Sequence, residues 1–139
     1  MDLSNFNVEK MAEQGAWLEL ENPESGEVLE SDDGEPIAIK VLGTDSKAWR
    51  NKNRQFQQRR IAKMARSRSK QIDYTMSDED ACELLSECTV DWRGIVDDGE
   101  ELEFSKEAAE SLYLKYIWIR EQVDSFIGDR ANFFPSASN

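Results

Sequence analysis

The residues that most often perform chemistry are scarce in this chain. Among 139 residues there is no histidine, and the only cysteines are Cys82 and Cys88. The commonest general base and metal ligand is therefore missing. The two thiols lie six positions apart on a predicted helix. At the usual helical rise their Cα atoms would be about 9 Å apart, beyond the roughly 7 Å that a disulfide spans. Two cysteines at this spacing do not make a zinc site either. They read as buried core residues. Carboxylates are abundant, and Asp97, Asp98, Glu100, Glu101 and Glu103 cluster closely enough to attract calcium. The cluster lacks the alternating oxygen ligands and terminal bidentate Glu of a calcium loop, and reads as a solvated acidic turn. There is no Gly-rich phosphate loop and no Ser or Cys nucleophile paired with a base. The expectation is a non-enzyme with no cofactor and no metal.

What remains able to act is charge and aromatic surface. The net charge of −12 hides a sharp asymmetry. Residues 1–45 carry two basic and twelve acidic side chains, residues 46–71 carry ten basic and none acidic, and residues 72–139 carry five basic and seventeen acidic. A basic run of this density points first to nucleic acid. The acidic flanks compete with phosphate for the same cations at short range, and the overall charge removes long-range steering toward DNA. Two other readings stand beside it. One is a solvated helix face neutralised within the fold. The other is a docking surface for an acidic protein or a neighbouring copy, with Arg59 and Arg60 at its centre. The alternating signs of the three segments lead us to expect self-association.

The aromatic residues supply the other candidates. Trp49, Phe56 and Met64 lie on a thin apolar stripe of the basic segment; a helix standing clear of the core would expose Trp49 and Phe56, and exposed apolar groups mark interfaces. Phe133 and Phe134, beside a polar tail, raise the same expectation. Trp118 sits on an apolar helical stripe and reads as core, but is kept as a candidate contact.

These residues need elements to hold them. Residues 4–14 read as a short helix capped by Asn5 or Asn7 and stopped by Gly15. Residues 16–21 read as a strand, Val28–Leu29 as the start of a return strand, and the β-branched run 37–42 as the strongest strand. Thr44 or Asp45 is expected to cap a long basic helix over 46–69, with Ser67–Gln71 as a linker. Ser77 starts the next helix, whose face Ala81, Leu84, Leu85, Cys88 and Trp92 falls at i, i+3, i+4, i+7 and i+11. Trp92 would close that helix and Gly94 would turn the chain. Asp98-Gly99 is a tight-turn dipeptide, and Leu102 and Phe104 alternate with Glu101 and Glu103 as a short extended piece. Ser105 is an N-cap, and a break is expected near Tyr116–Trp118.

The predicted fold is therefore α+β and predominantly helical, with a small N-terminal antiparallel sheet, a long basic helix and a C-terminal helical bundle. The parts are 1–45, β-rich; 46–71, basic helix and linker; 72–134, helical; and 135–139, a disordered tail. The length suits one domain overall. No apolar run approaches the roughly 18 residues that span a bilayer. The N-terminus lacks the basic and apolar regions of a signal peptide, so a cytosolic protein is expected.

The order Trp92-Arg-Gly94, acidic turn, Phe104-Ser105 cap and alanine-rich helix resembles the tail assembly chaperones of long-tailed bacteriophages. The last helix, Trp118-Ile-Arg-Glu-Gln-Val, ending in Asp129-Arg-Ala-Asn-Phe133, is also similar to that family. The resemblance covers residues 76–134. It implies a chaperone of tail morphogenesis that acts in the host cytoplasm and is absent from the finished virion. Such a protein coats the tape measure protein and keeps it soluble while tail tube subunits polymerise. The resemblance further implies a longer form made by ribosomal frameshifting near Asn132-Phe133-Phe134, which recruits the tail tube protein. The alternative is a nucleic-acid-associated regulator that binds through residues 47–70.

Overall fold

A computed structural model describes residues 1–66 and 76–134. Strand β2, Ala38–Val41, lies at the centre of a three-stranded antiparallel sheet between β1, Ala16–Glu19, and β3, Thr89–Arg93. Ala38, Ile39 and Val41 are fully buried. A strand buried this deeply must have its backbone groups paired along both edges. β1 satisfies one edge, with Ile39 opposite Leu18. The other is satisfied by β3, with Ile39 opposite Trp92 and a register shift between Lys40 and Val41.

This pairing corrects the expected helix through Trp92. Helix α3 spans only Asp78–Glu87, and the chain after Cys88 is strand. Position i+11 suits a helical face, but Trp92 is equally placed for a strand. β-Branched Thr89 and Val90 and the open edge of β2 decide the outcome. The sheet is therefore not purely N-terminal. The expected return strand at Val28–Leu29 is also absent as a strand. Leu29 instead donates to the Leu20 carbonyl at 2.8 Å and accepts from Ile37 N at 2.9 Å, one residue tucked into a loop with two isolated bridges.

The helices begin where side-chain caps allow. Asn7 caps α1, Val8–Gln14, accepting from Lys10 N at 3.1 Å. Ser77 caps α3 at 3.2 Å and Ser105 caps α4, Lys106–Lys115, at 2.9 Å. Helix α2 spans Lys47–Arg66. Its cap is Ser46, whose hydroxyl accepts from Trp49 N at 3.2 Å, rather than Thr44 or Asp45. Asp45 is engaged elsewhere, accepting two bonds from the Arg130 guanidinium at 2.7 and 2.9 Å. That hydrogen-bonded cation holds its carboxyl below the usual range. The linker expected at 67–71 and the tail at 135–139 lie outside the described residues.

Between β3 and α4 the chain makes the expected tight turn. β4, Val96–Asp97, pairs with β5, Glu100–Glu101, through Asp98 and Gly99, which have φ of 51° and 79°. Two successive positive φ values are what a two-residue hairpin of type I′ requires. The extended piece continues into Leu102, which donates to Ile95 O at 2.9 Å. Trp92 fastens this hairpin, its indole N–H donating to Leu102 O at 2.9 Å and its ring meeting Phe104 edge-on at 5.3 Å. The helix break falls at Tyr116, where φ −119° and ψ 94° separate α4 from α5, Ile117–Ile127.

The core lies between the sheet and α3, α4 and α5. Leu20, Ile39 and Val41 meet Leu85, Leu112, Tyr113, Ile119, Val123 and Ile127 in one cluster. Its polar contact is Thr89 with Tyr113, hydroxyl to hydroxyl at 2.7 Å, with Thr89 also within 2.8 Å of Leu85 O. Thr89→Val leaves the buried Tyr113 hydroxyl without its partner and should cost about 1–3 kcal/mol. Tyr113→Phe leaves Thr89 bonded to Leu85 and should cost less. In the double variant the second change should cost less than it does alone. Urea unfolding of the four proteins checks this order.

Candidate partner-binding surface

The sequence candidates are not brought together into one patch. Trp49 is half-buried and packs against the core, and Phe56 is only 4% exposed. Their expected exposure is corrected: the first half of α2 lies on α3. Phe56 is the buried residue of that contact, with Lys52 Nζ 5.6 Å and Arg59 5.2 Å from its ring centroid. Both cations also reach Glu83 of α3, Lys52 at 2.8 Å and Arg59 at 3.8 Å. Lys52 and Arg59 thus hold their cationic ends over the Phe56 ring while pairing with Glu83, so the buried edge of this thin stripe is covered by charge from its own helix. Phe133 is also buried, edge-on to Phe126 at 5.7 Å, and Phe134 is half-buried beside it. The exposure expected at Phe133 is therefore corrected as well.

From Gln57 onward α2 changes character. Arg60 is half-buried and every other residue through Arg66 is exposed. This end carries Arg59, Arg60, Lys63 and Arg66 and no acid. Ile61 is 65% exposed and Met64 39%. Ile61 lies five positions beyond Phe56, which at about 100° per residue turns it roughly 140° from the face on α3. The projecting end therefore presents its own apolar ridge. Among the described residues, ion pairs occupy Arg50, with Glu9 at 3.1 Å, and Lys52 and Arg59, with Glu83.

Trp118 is the sequence candidate that lines open space. It stands half-buried in the first turn of α5, with a cleft on each side. One cleft, about 250 Å³, is mostly apolar, walled by Leu29, Ile37, Ile95, Val96 and Tyr116. Asp97 is its charged member. It accepts from Lys115 at 2.7 Å and from the Tyr116 hydroxyl, and both bonds hold its carboxyl below the ordinary range.

The second cleft, about 480 Å³, runs between α5 and the end of β1. Leu18, Trp118 and Phe126 supply its apolar surface, and Glu21, Glu121 and Asp129 its charge, with no Lys or Arg in the lining. Gln122 joins the two sides. Its amide accepts from Glu21 N at 2.9 Å and donates to Glu21 O at 2.8 Å. Residues about one hundred positions apart thus form one groove, which no local pattern could announce. Ile61 and Met64, three apart within a cationic run, were visible as an i, i+3 pair.

Burial pushes the Cys88 thiol up to about 12 and raises Cys82, which lies 3.7 Å from the Arg120 guanidinium. Among the described residues no three His, Cys, Asp or Glu converge as a metal site, and no helix is long and apolar enough to cross a membrane.

The structure separates two kinds of apolar residue on α2, one buried and one exposed. Phe56→Ala should lower unfolding stability by about 3–5 kcal/mol, as large core truncations do. Ile61→Ser and Met64→Ser should stay within about 0.5 kcal/mol of the parent, as surface changes do. Denaturant unfolding measures both.

A family model described as YdaY prophage protein matches residues 44–136, about two-thirds of the chain. The match begins just ahead of the Ser46 cap, so it takes in α2 and the whole second half and leaves out β1 and β2. No curated protein and no solved structure matches the chain.

Proposed function

The chain belongs to this family of prophage proteins, and from that premise we propose that it is a tail assembly chaperone without catalytic activity, acting in the host cytoplasm and left out of the finished virion. Its client in this reading is the tape measure protein. The observation that carries the proposal is the apolar cleft beside Trp118, on a molecule of net charge −12. An amphipathic helix docks through apolar anchors at i, i+3, i+4 and i+7 into clefts of this kind. The charge keeps the coated client in solution. Many copies along one long client bind strongly in sum while each binds weakly. The similarity of residues 76–134 to tail assembly chaperones supports the same reading.

The test is co-expression with the tape measure protein of the same prophage. The client should be soluble and copurify with the parent chain. Val96→Asp, at a position 59% exposed on the cleft wall, should release it without unfolding the chaperone. A client that is equally insoluble with and without the parent chain would refute the proposal. DNA binding through the basic helix is the competing function, and it would show as affinity falling steeply with salt. The Glu9 and Glu83 ion pairs weigh against it, because they already occupy part of the positive charge.

A frameshifted product that shares this chain and recruits the tail tube protein belongs to the same proposal. The gene should carry an uninterrupted uridine run over the codons of Asn132-Phe133-Phe134, with an open overlapping frame beyond. A gene without either feature would remove this part of the proposal.

A further inference from the structure

The projecting end of α2 and the acidic groove of α5 are complementary in sign, and each carries exposed apolar surface. The arm offers a narrow ridge, Ile61 and Met64, with Arg60 and Lys63 along one side of it, each about 100° around the helix from its ridge neighbour. The groove offers an apolar surface, Leu18, Trp118 and Phe126, with Glu21, Glu121 and Asp129 around it. The arm carries no acid and the groove lining no base, so neither meets a like charge in the other. An apolar ridge with charged flanks in a groove of opposite charge is a common mode of helix recognition, with pairing of sign fixing the register.

Within one molecule the ridge is left exposed, Ile61 at 65% and Met64 at 39%. Phe56 and the Glu83 pairs of Lys52 and Arg59 fix α2 on α3, and Ile61 is turned about 140° from that contact. We propose that the projecting end of α2, Gln57–Arg66, lies in the α5 groove of a second copy of this chain. Arm and groove are different surfaces, so the contact is head to tail. Each copy still offers a free arm at one end and a free groove at the other, and the series closes into a ring or extends as a filament. Ten helical residues span about 15 Å, so each contact is small and its strength depends on concentration. The inference uses the isolated protein and does not rest on the chaperone reading.

The experiment is sedimentation velocity on the purified protein at high concentration. The arm variant carries Arg60→Glu and Lys63→Glu, and the groove variant Glu21→Lys and Glu121→Lys. All four positions are outside the core, and circular dichroism checks that both variants fold. The parent should form a series of larger species at low salt that shortens toward single copies near 1 M, where screening acts within about 3 Å. Each variant alone should be a single copy. Mixed together, they should give a species of twice the mass that grows no further, because one supplies the intact arm and the other the intact groove. A parent that stays a single copy at low salt, a variant that assembles like the parent, or a mixture that stays as single copies would overturn the proposal. Short duplex DNA added to a parent that does not self-associate, and held by the arm, would assign the arm to nucleic acid instead.

Discussion

Everything in the second half of this molecule follows from the hydrogen-bonding demand of β2. Its side chains are sealed into the core, so its free edge cannot be left to water or covered by a helix, which has no backbone groups to offer sideways. The segment after α3 has to stop being helical and lie alongside. That ends α3 at Cys88, brings Trp92 opposite Ile39, and lets the Trp92 indole take hold of Leu102 beyond the hairpin. The entry point of α4 is then set, and with it Tyr113 against Thr89. α5 follows after a single non-helical residue, Tyr116, and Trp118 arrives on the surface where both clefts open.

The charge pattern acts at a different level. The basic segment is not simply neutralised by its neighbours in sequence. Arg50, Lys52 and Arg59 are paired with Glu9 and Glu83, and Lys63 and Arg66 in its last turns stay exposed. The acids are spread over loops and helix surfaces, where repulsion between copies opposes any broad contact. What association the surface permits is therefore confined to the few places where opposite signs can meet over apolar ground. That is a specificity device more than a source of affinity.

Local chemistry was readable from the sequence wherever a residue acts on its own neighbours. The caps Asn7, Ser77 and Ser105, the Asp98-Gly99 turn and the break at Tyr116 all depend on contacts within a few residues. The cap at Ser46 was missed because Asp45, the better capping type, is drawn away by Arg130, eighty-five positions on. Trp92 was misread because eleven residues is three helical turns as well as an odd step along a strand, and only β2 distinguishes them. Phe56 was misread because composition shows that a stripe is thin but not that Lys52 and Arg59 fold over it. The groove at α5 depends on Gln122 gripping Glu21, a pairing with no trace in either local segment.

The two cysteines, unremarkable as ligands, give the molecule an inert background for thiol chemistry. Burial raises the Cys88 thiol to about 12, so at neutral pH only about one molecule in 10⁵ carries the reactive thiolate. Cys82 is sealed alongside and is shifted in the same direction. Oxidants and alkylating reagents therefore find little to attack while the chain is folded. A single cysteine introduced on the α2 end or at the groove rim would react essentially alone, so dyes, spin labels or cross-linkers can be attached at one chosen point without first removing the native pair.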